Sequence, residues 1–215
     1  MHATRARIID ASAELFRRQG FTGTGIQEIV AAANAAFASL YHFFPGGKEE
    51  LGAEVIRRSG ALYLDLISAV FDPAPDVATA VRRFFSGAAA TVRESGFADA
   101  CPIATVALEV ASTSEPLRAA TAEVFESWIA ATASRFRAAG IAAGRARELA
   151  TILFMSLEGA FLLSRSTRST RPLELAGAQA TAAVRAALPA RRAQRTRRTA
   201  DGEPAVTHPR GASGA

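Results

Sequence analysis

Ser39-Leu40-Tyr41-His42-Phe43-Phe44-Pro45-Gly46-Gly47-Lys48-Glu49-Glu50-Leu51 decides how the rest of the chain reads. The first six residues close a short helix expected from about Ala36 to Phe43. Pro45-Gly46-Gly47 breaks it, because proline removes a backbone donor and glycine tolerates the turn that follows. Lys48 opens a longer helix reaching about Val70. Leu40 and Phe44, four positions apart, are expected on the buried side. Ser39 and His42 then fall on the open side, with Tyr41.

Working toward the N-terminus, helix 1 is expected from about Arg5 to Arg18. Ile9, Ala13 and Phe16 recur at helical spacing and Gly20 ends it. Thr24-Gly25-Ile26-Gln27 has the spacing of a capping box, in which Gln27 reaches back to Thr24, and opens a helix that stops near Asn34. Three short helices within residues 4–51, the third behind a tight turn, have the punctuation of a helix-turn-helix.

Toward the C-terminus, Asp72-Pro73-Ala74-Pro75-Asp76 is a turn, and helix 5 spans about Val77 to Glu94. Pro102, Pro116 and Pro172 stand at first-turn positions for helices 6, 7 and 9, and Gly144 precedes helix 8, which runs to about Ser166. Ser114 is the expected cap of helix 7. The reading is all-α with about nine helices, divided into 1–50 (helix-turn-helix), 51–188 (a second helical domain) and 189–215. The last segment has six arginines against Asp201 and Glu203, and no apolar periodicity; disorder is expected there. It serves either as a solubilising extension or as a site for nucleic acid.

Charge alone does not reveal a partner. The net charge is +5, but residues 1–50 balance Arg5, Arg7, Arg17, Arg18 and Lys48 against Asp10, Glu14, Glu28, Glu49 and Glu50. Most of the excess sits in the tail. Cys101 is the one cysteine, so no internal disulfide and no cysteine-based metal spacing exist. The basic start, Met1 to Arg7, runs into Asp10 and Glu14 where a signal peptide has an apolar stretch. The apolar run Leu149 to Leu163 holds Glu158 and reads as too short for a membrane span. A cytoplasmic protein without membrane contact is expected.

Ile8-Ile9-Asp10-Ala11-Ser12-Ala13-Glu14-Leu15-Phe16, Gly20-Phe21, Ile26-Gln27-Glu28-Ile29, Ser39-Leu40-Tyr41-His42-Phe43-Phe44 and Lys48-Glu49-Glu50-Leu51 together resemble the TetR family of repressors. Leu-Tyr-x-x-Phe followed by Lys-Glu-x-Leu is the most specific element. The linker into Lys48 and Cys101-Pro102-Ile103 look most like the branch that includes lincomycin-resistance repressors. The resemblance implies a homodimer on a palindromic double-stranded DNA operator, released by a small, mostly apolar effector, with 51–188 as the helical ligand-binding and dimerisation domain. Thr24, Phe37, Ser39, Tyr41, His42 and Lys48 are the DNA-binding candidates, with Tyr41 offering a hydroxyl to a phosphate. Thr24 would hold an anion at a helix start.

Three positions depart from the family pattern: Ala36 where Ser or Pro is usual, Phe37 where a basic or polar residue is usual, and Ala38 where Gly is usual. Phe37 either touches a thymine methyl or costs a phosphate contact.

Helix 8 is apolar nearly all round, from Leu149 through Ile152, Leu153, Phe154, Met155 and Leu157 to Leu163, and so needs cover on every side. Helix 9 offers a small-residue face. In the resembled family the last two long helices form the dimer interface. Cys101, Phe125, Trp128, Phe154, Met155 and Glu158 are the effector-site candidates, although such residues also make ordinary core. Glu158 needs a partner, either a ligand amine or an arginine such as Arg118. The three histidines, His2, His42 and His208, form no catalytic or metal set, so no enzyme, cofactor or metal is expected. Gly23-x-Gly25 lacks both the strand and the third glycine of a dinucleotide loop. An all-helical interaction module remains the rival class.

Overall fold

A computed structural model describes residues 2–98 and 101–189. Nine helices and no strand occur among them: α1 (His2–Gln19), α2 (Ile26–Ala32), α3 (Phe37–Phe43), α4 (Gly47–Phe71), α5 (Val77–Glu94), α6 (Pro102–Val110), α7 (Glu115–Ala138), α8 (Ala143–Thr167) and α9 (Arg171–Ala187). The tail expected to be disordered lies, past Pro189, outside the described residues.

Local chemistry explains most of the boundaries. Asp76 caps α5 by accepting from the Thr79 amide at 2.7 Å. Pro102, Pro116 and Pro172 occupy first-turn positions, where a missing N–H is harmless. Asn34 takes φ 46° behind α2, a conformation its short polar side chain tolerates. Two expected caps fail. The N-cap of α2 is Gly25, with no side-chain cap; Thr24 is buried, and its hydroxyl donates to the Gly20 carbonyl at 2.7 Å. Ser114 stands at the N-cap of α7 but makes no capping bond.

The N-terminal helices close over Ile8, Ile9, Phe16, Ile29, Leu40 and Phe44, with Leu51 from α4. Larger helices build the remainder: α7 packs on α4, α6 and α8, while α9 lies against α5 and α8. The α4–α7 crossing is close because Gly60 presents no side chain to Val124, and the α5–α9 crossing is close because Gly177 presents none to Phe85. Trp128 locks the first crossing by donating its indole N–H to the Gly60 carbonyl at 2.9 Å.

Helix α8 is longer than its apolar run suggests, and by length and composition it suffices to cross a membrane. In this fold one side of it packs on α7 and α9, burying Leu149, Leu153, Phe154 and Leu157. The other side leaves Ile152, Met155, Leu162 and Leu163 exposed, with Leu175 of α9 also exposed.

Candidate nucleic-acid interface and internal cavity

Helix α3 has two unlike sides. Leu40 is fully buried, whereas Phe37 and Tyr41 are 50% and 42% exposed. Their rings pair at 5.5 Å on the outer surface. His42 is exposed beside them and Ser39 is half-buried; with Thr4 and Ala38 these two line a shallow depression. The helix is oriented from below by Arg7, a residue the sequence reading passed over. Its guanidinium donates to the Ala33 carbonyl at 3.0 Å and to the Asn34 carbonyl at 3.4 Å, fixing the turn between α2 and α3. Ala36 is the N-cap of α3 and supplies no side-chain cap.

Two candidates sit differently from expectation. Thr24, with its hydroxyl spent inside the α1–α2 turn, is buried and presents no side chain to a phosphate. Lys48 is half-buried, its ammonium 4.4 Å from the centre of the Phe21 ring. Burial lowers its pKa, and the carboxylate of Glu109 partly opposes that. Its charge therefore points toward the base of the N-terminal unit.

Behind this surface lies an internal cavity of about 250 Å³. Of the six effector-site candidates, Cys101, Trp128, Phe154 and Glu158 line it. Phe125 and Met155 do not. They border a separate shallow cleft between α7 and α8, and Met155 is 67% exposed. The reason is rotation: Met155 follows Phe154, and one helical step turns a side chain by about 100°. Tyr63 of α4 is the lining residue the sequence did not suggest; its ring packs 5.2 Å from that of Trp128. Burial holds the phenol of Tyr63 and the thiol of Cys101 well above their ordinary pKa values.

Glu158 is the unusual group. Burial pushes its pKa up to about 7, against a smaller opposing effect of a hydrogen bond with Cys101. Its Oε1 is buried without a hydrogen-bond partner. Arg118, the protein partner weighed for it, instead pairs with Glu115 at 2.6 Å.

Helix α6 joins the two regions. Its N-cap, Cys101, borders the cavity, and about 12 Å further on Glu109 accepts the Thr22 amide at 2.8 Å in the α1–α2 turn.

A three-helix N-terminal unit whose third helix bares one face, set on a helical body, defines a helix-turn-helix transcriptional regulator. Comparison with known proteins agrees along the chain. Residues 8–55 match the family described as bacterial regulatory proteins, tetR family. Residues 77–179 match the C-terminal domain of LmrA/YxaF-like transcriptional regulators. The chain belongs to the TetR family, in its LmrA/YxaF-like branch. It is 34% identical to the HTH-type transcriptional regulator YxaF of Bacillus subtilis, over 85% of this chain and 95% of that one. To LmrA of the same organism it is 30% identical, over 79% and 90%. In fold it is similar to the reduced form of Escherichia coli NemR, with TM-score 0.73 and 22% identity over 82% of this chain and 94% of that one. It is a regulator of transcription and not an enzyme.

Proposed function

We propose that this regulator is a repressor that binds a palindromic operator as a homodimer in the cytoplasm and leaves it when a small, mostly apolar effector enters the cavity. In this reading residues 1–50 hold the DNA and 51–188 sense and dimerise, with α4 running unbroken between them. The observation that carries it is the two-sided α3. Leu40 anchors the helix while Phe37, Tyr41 and His42 face outward, the arrangement a recognition helix needs in a major groove. Ser39, which shares a depression with His42, would flank that contact, whereas Lys48, turned toward Phe21, takes no direct part in this reading.

The exposed Ile152, Met155, Leu162 and Leu163 on one side of α8, with Leu175 exposed on α9, support dimerisation, since large apolar side chains gathered on one helix face favour cover by protein. The Glu109–Thr22 bond supports coupling: a ligand that displaces the Cys101 end of α6 also disturbs the turn that seats α2. Such a ligand shifts the population away from DNA by no more than its preference for the displaced state.

A gel shift with the DNA upstream of the protein's own coding region, at stated salt, tests the reading. Retarded DNA that withstands non-specific competitor is expected. Tyr41→Phe is expected to weaken binding about fivefold, for loss of one hydrogen bond near 1 kcal/mol, without changing the melting temperature. Equal retardation of unrelated DNA, or no loss with Tyr41→Phe and Phe37→Ala together, would refute it.

A further inference from the structure

If the cavity is the effector site, its chemistry narrows the effector. The walls are aromatic and aliphatic: Tyr63, Phe84, Trp128 and Phe154 line it, and Glu158 contributes a carboxyl group. The same Glu158 also borders the α7–α8 cleft. Its Oε1 is buried and lacks a hydrogen-bond donor. A buried acceptor left unpaired is costly, and a ligand that brings a donor recovers that cost on binding. Arg83, the one arginine or lysine in the lining, is exposed and so stands at the rim. A ligand anion reaching the interior would meet the carboxyl of Glu158 instead of a counter-charge.

We propose that the effector is an amphiphilic amine, with an apolar body packed against Trp128 and Phe154 and a protonated nitrogen that donates to Glu158 Oε1. The surrounding rings favour the same choice, because aromatic faces attract cations, most of all where water is excluded. This inference rests on the effector reading above.

A pH signature follows from the groups that face Glu158. These are Tyr63 on α4, Arg83 and Thr91 on α5, Cys101 before α6 and Trp128 on α7. Burial keeps the Tyr63 phenol and the Cys101 thiol protonated, which leaves Glu158, near 7, as the group that titrates. An ammonium ligand selects the carboxylate. Its affinity is therefore level above pH 7 and falls about tenfold per unit below it.

The test uses three probes of one shape and different charge: phenylbutylamine, phenylbutanol and phenylbutyrate. Trp128 is the chain's single tryptophan, so its fluorescence reports occupancy of the cavity. At pH 7.5 the amine is expected to bind about tenfold tighter than the alcohol and the acid. In Glu158→Gln the amine's advantage is expected to vanish while the alcohol's affinity persists, and circular dichroism checks that the variant is folded. Alcohol or acid binding as well as the amine, or an amine preference that survives Glu158→Gln, would overturn the amine assignment and leave the cavity reading standing. If none of the probes perturbs Trp128 in a protein that retards operator DNA, the cavity reading falls and the amine with it.

Discussion

Gly60→Ala tests whether the α4–α7 crossing is as tight as it looks. In the middle of a helix this change ordinarily stabilises a protein by about 1 kcal/mol, because alanine gives up less backbone freedom. Here a Cβ on Gly60 would lie 2.5 and 2.6 Å from the two methyls of Val124, roughly 1 Å inside ordinary contact. Overpacking of this kind costs about 1–3 kcal/mol, and two clashing methyls on a buried helix place it in the upper part of that range. The net expectation is a loss of about 1–2 kcal/mol. Urea unfolding followed by Trp128 fluorescence measures it, at fixed protein concentration so that any association does not enter the comparison. Val124→Ala alone should cost about 2 kcal/mol for its buried methyls. The double variant should be more stable than the sum of the two changes predicts, by about 1 kcal/mol or more. A Gly60→Ala protein as stable as the parent, or additive behaviour in the cycle, would refute the argument.

Three further outcomes are expected. Because the folded pKa of Glu158 is raised to about 7 from 4.5, the folded state holds its proton more tightly than the unfolded one. Stability should thus fall as pH rises from about 5 to 7 and level off above, by on the order of 2–3 kcal/mol; urea midpoints at pH 5 and 8 should show this drop, and Glu158→Gln should abolish it. Leu163→Arg, in the exposed apolar row of α8, should convert a dimer into a folded monomer in sedimentation, and an unchanged dimer would place the interface elsewhere. Glu109→Gln weakens the charge-assisted bond to the Thr22 amide, so hydrogen exchange at Thr22 should accelerate about fivefold with little change in global melting.

How much of this was legible in the sequence depends on how local each signal is. The span of α5 agrees with its turn and cap, since Asp76 and the prolines before it act within a few residues. The two-sided character of α3 also follows from the spacing of Leu40 and Phe44. Thr24 misled because the Thr-x-x-Gln pattern is satisfied in the sequence, while its burial in the α1–α2 turn depends on folding. Met155 misled for another reason: a helix that is apolar all round has no polar stripe to set its phase. Tyr63 and the Glu109–Thr22 bond escaped notice because their partners lie far away along the chain. The latter pair is separated by 87 positions.

The unbroken course of α4 from Gly47 to Phe71 has a mechanical consequence. A rod of 25 residues is about 37 Å long, and no proline interrupts it. Tilting it by about 5° at the Phe71 end sweeps the Gly47 end through roughly 3 Å. That end adjoins Tyr41, so on the proposed reading a shift of less than a bond length beside the cavity would be magnified into a misfit against the grooves of a duplex.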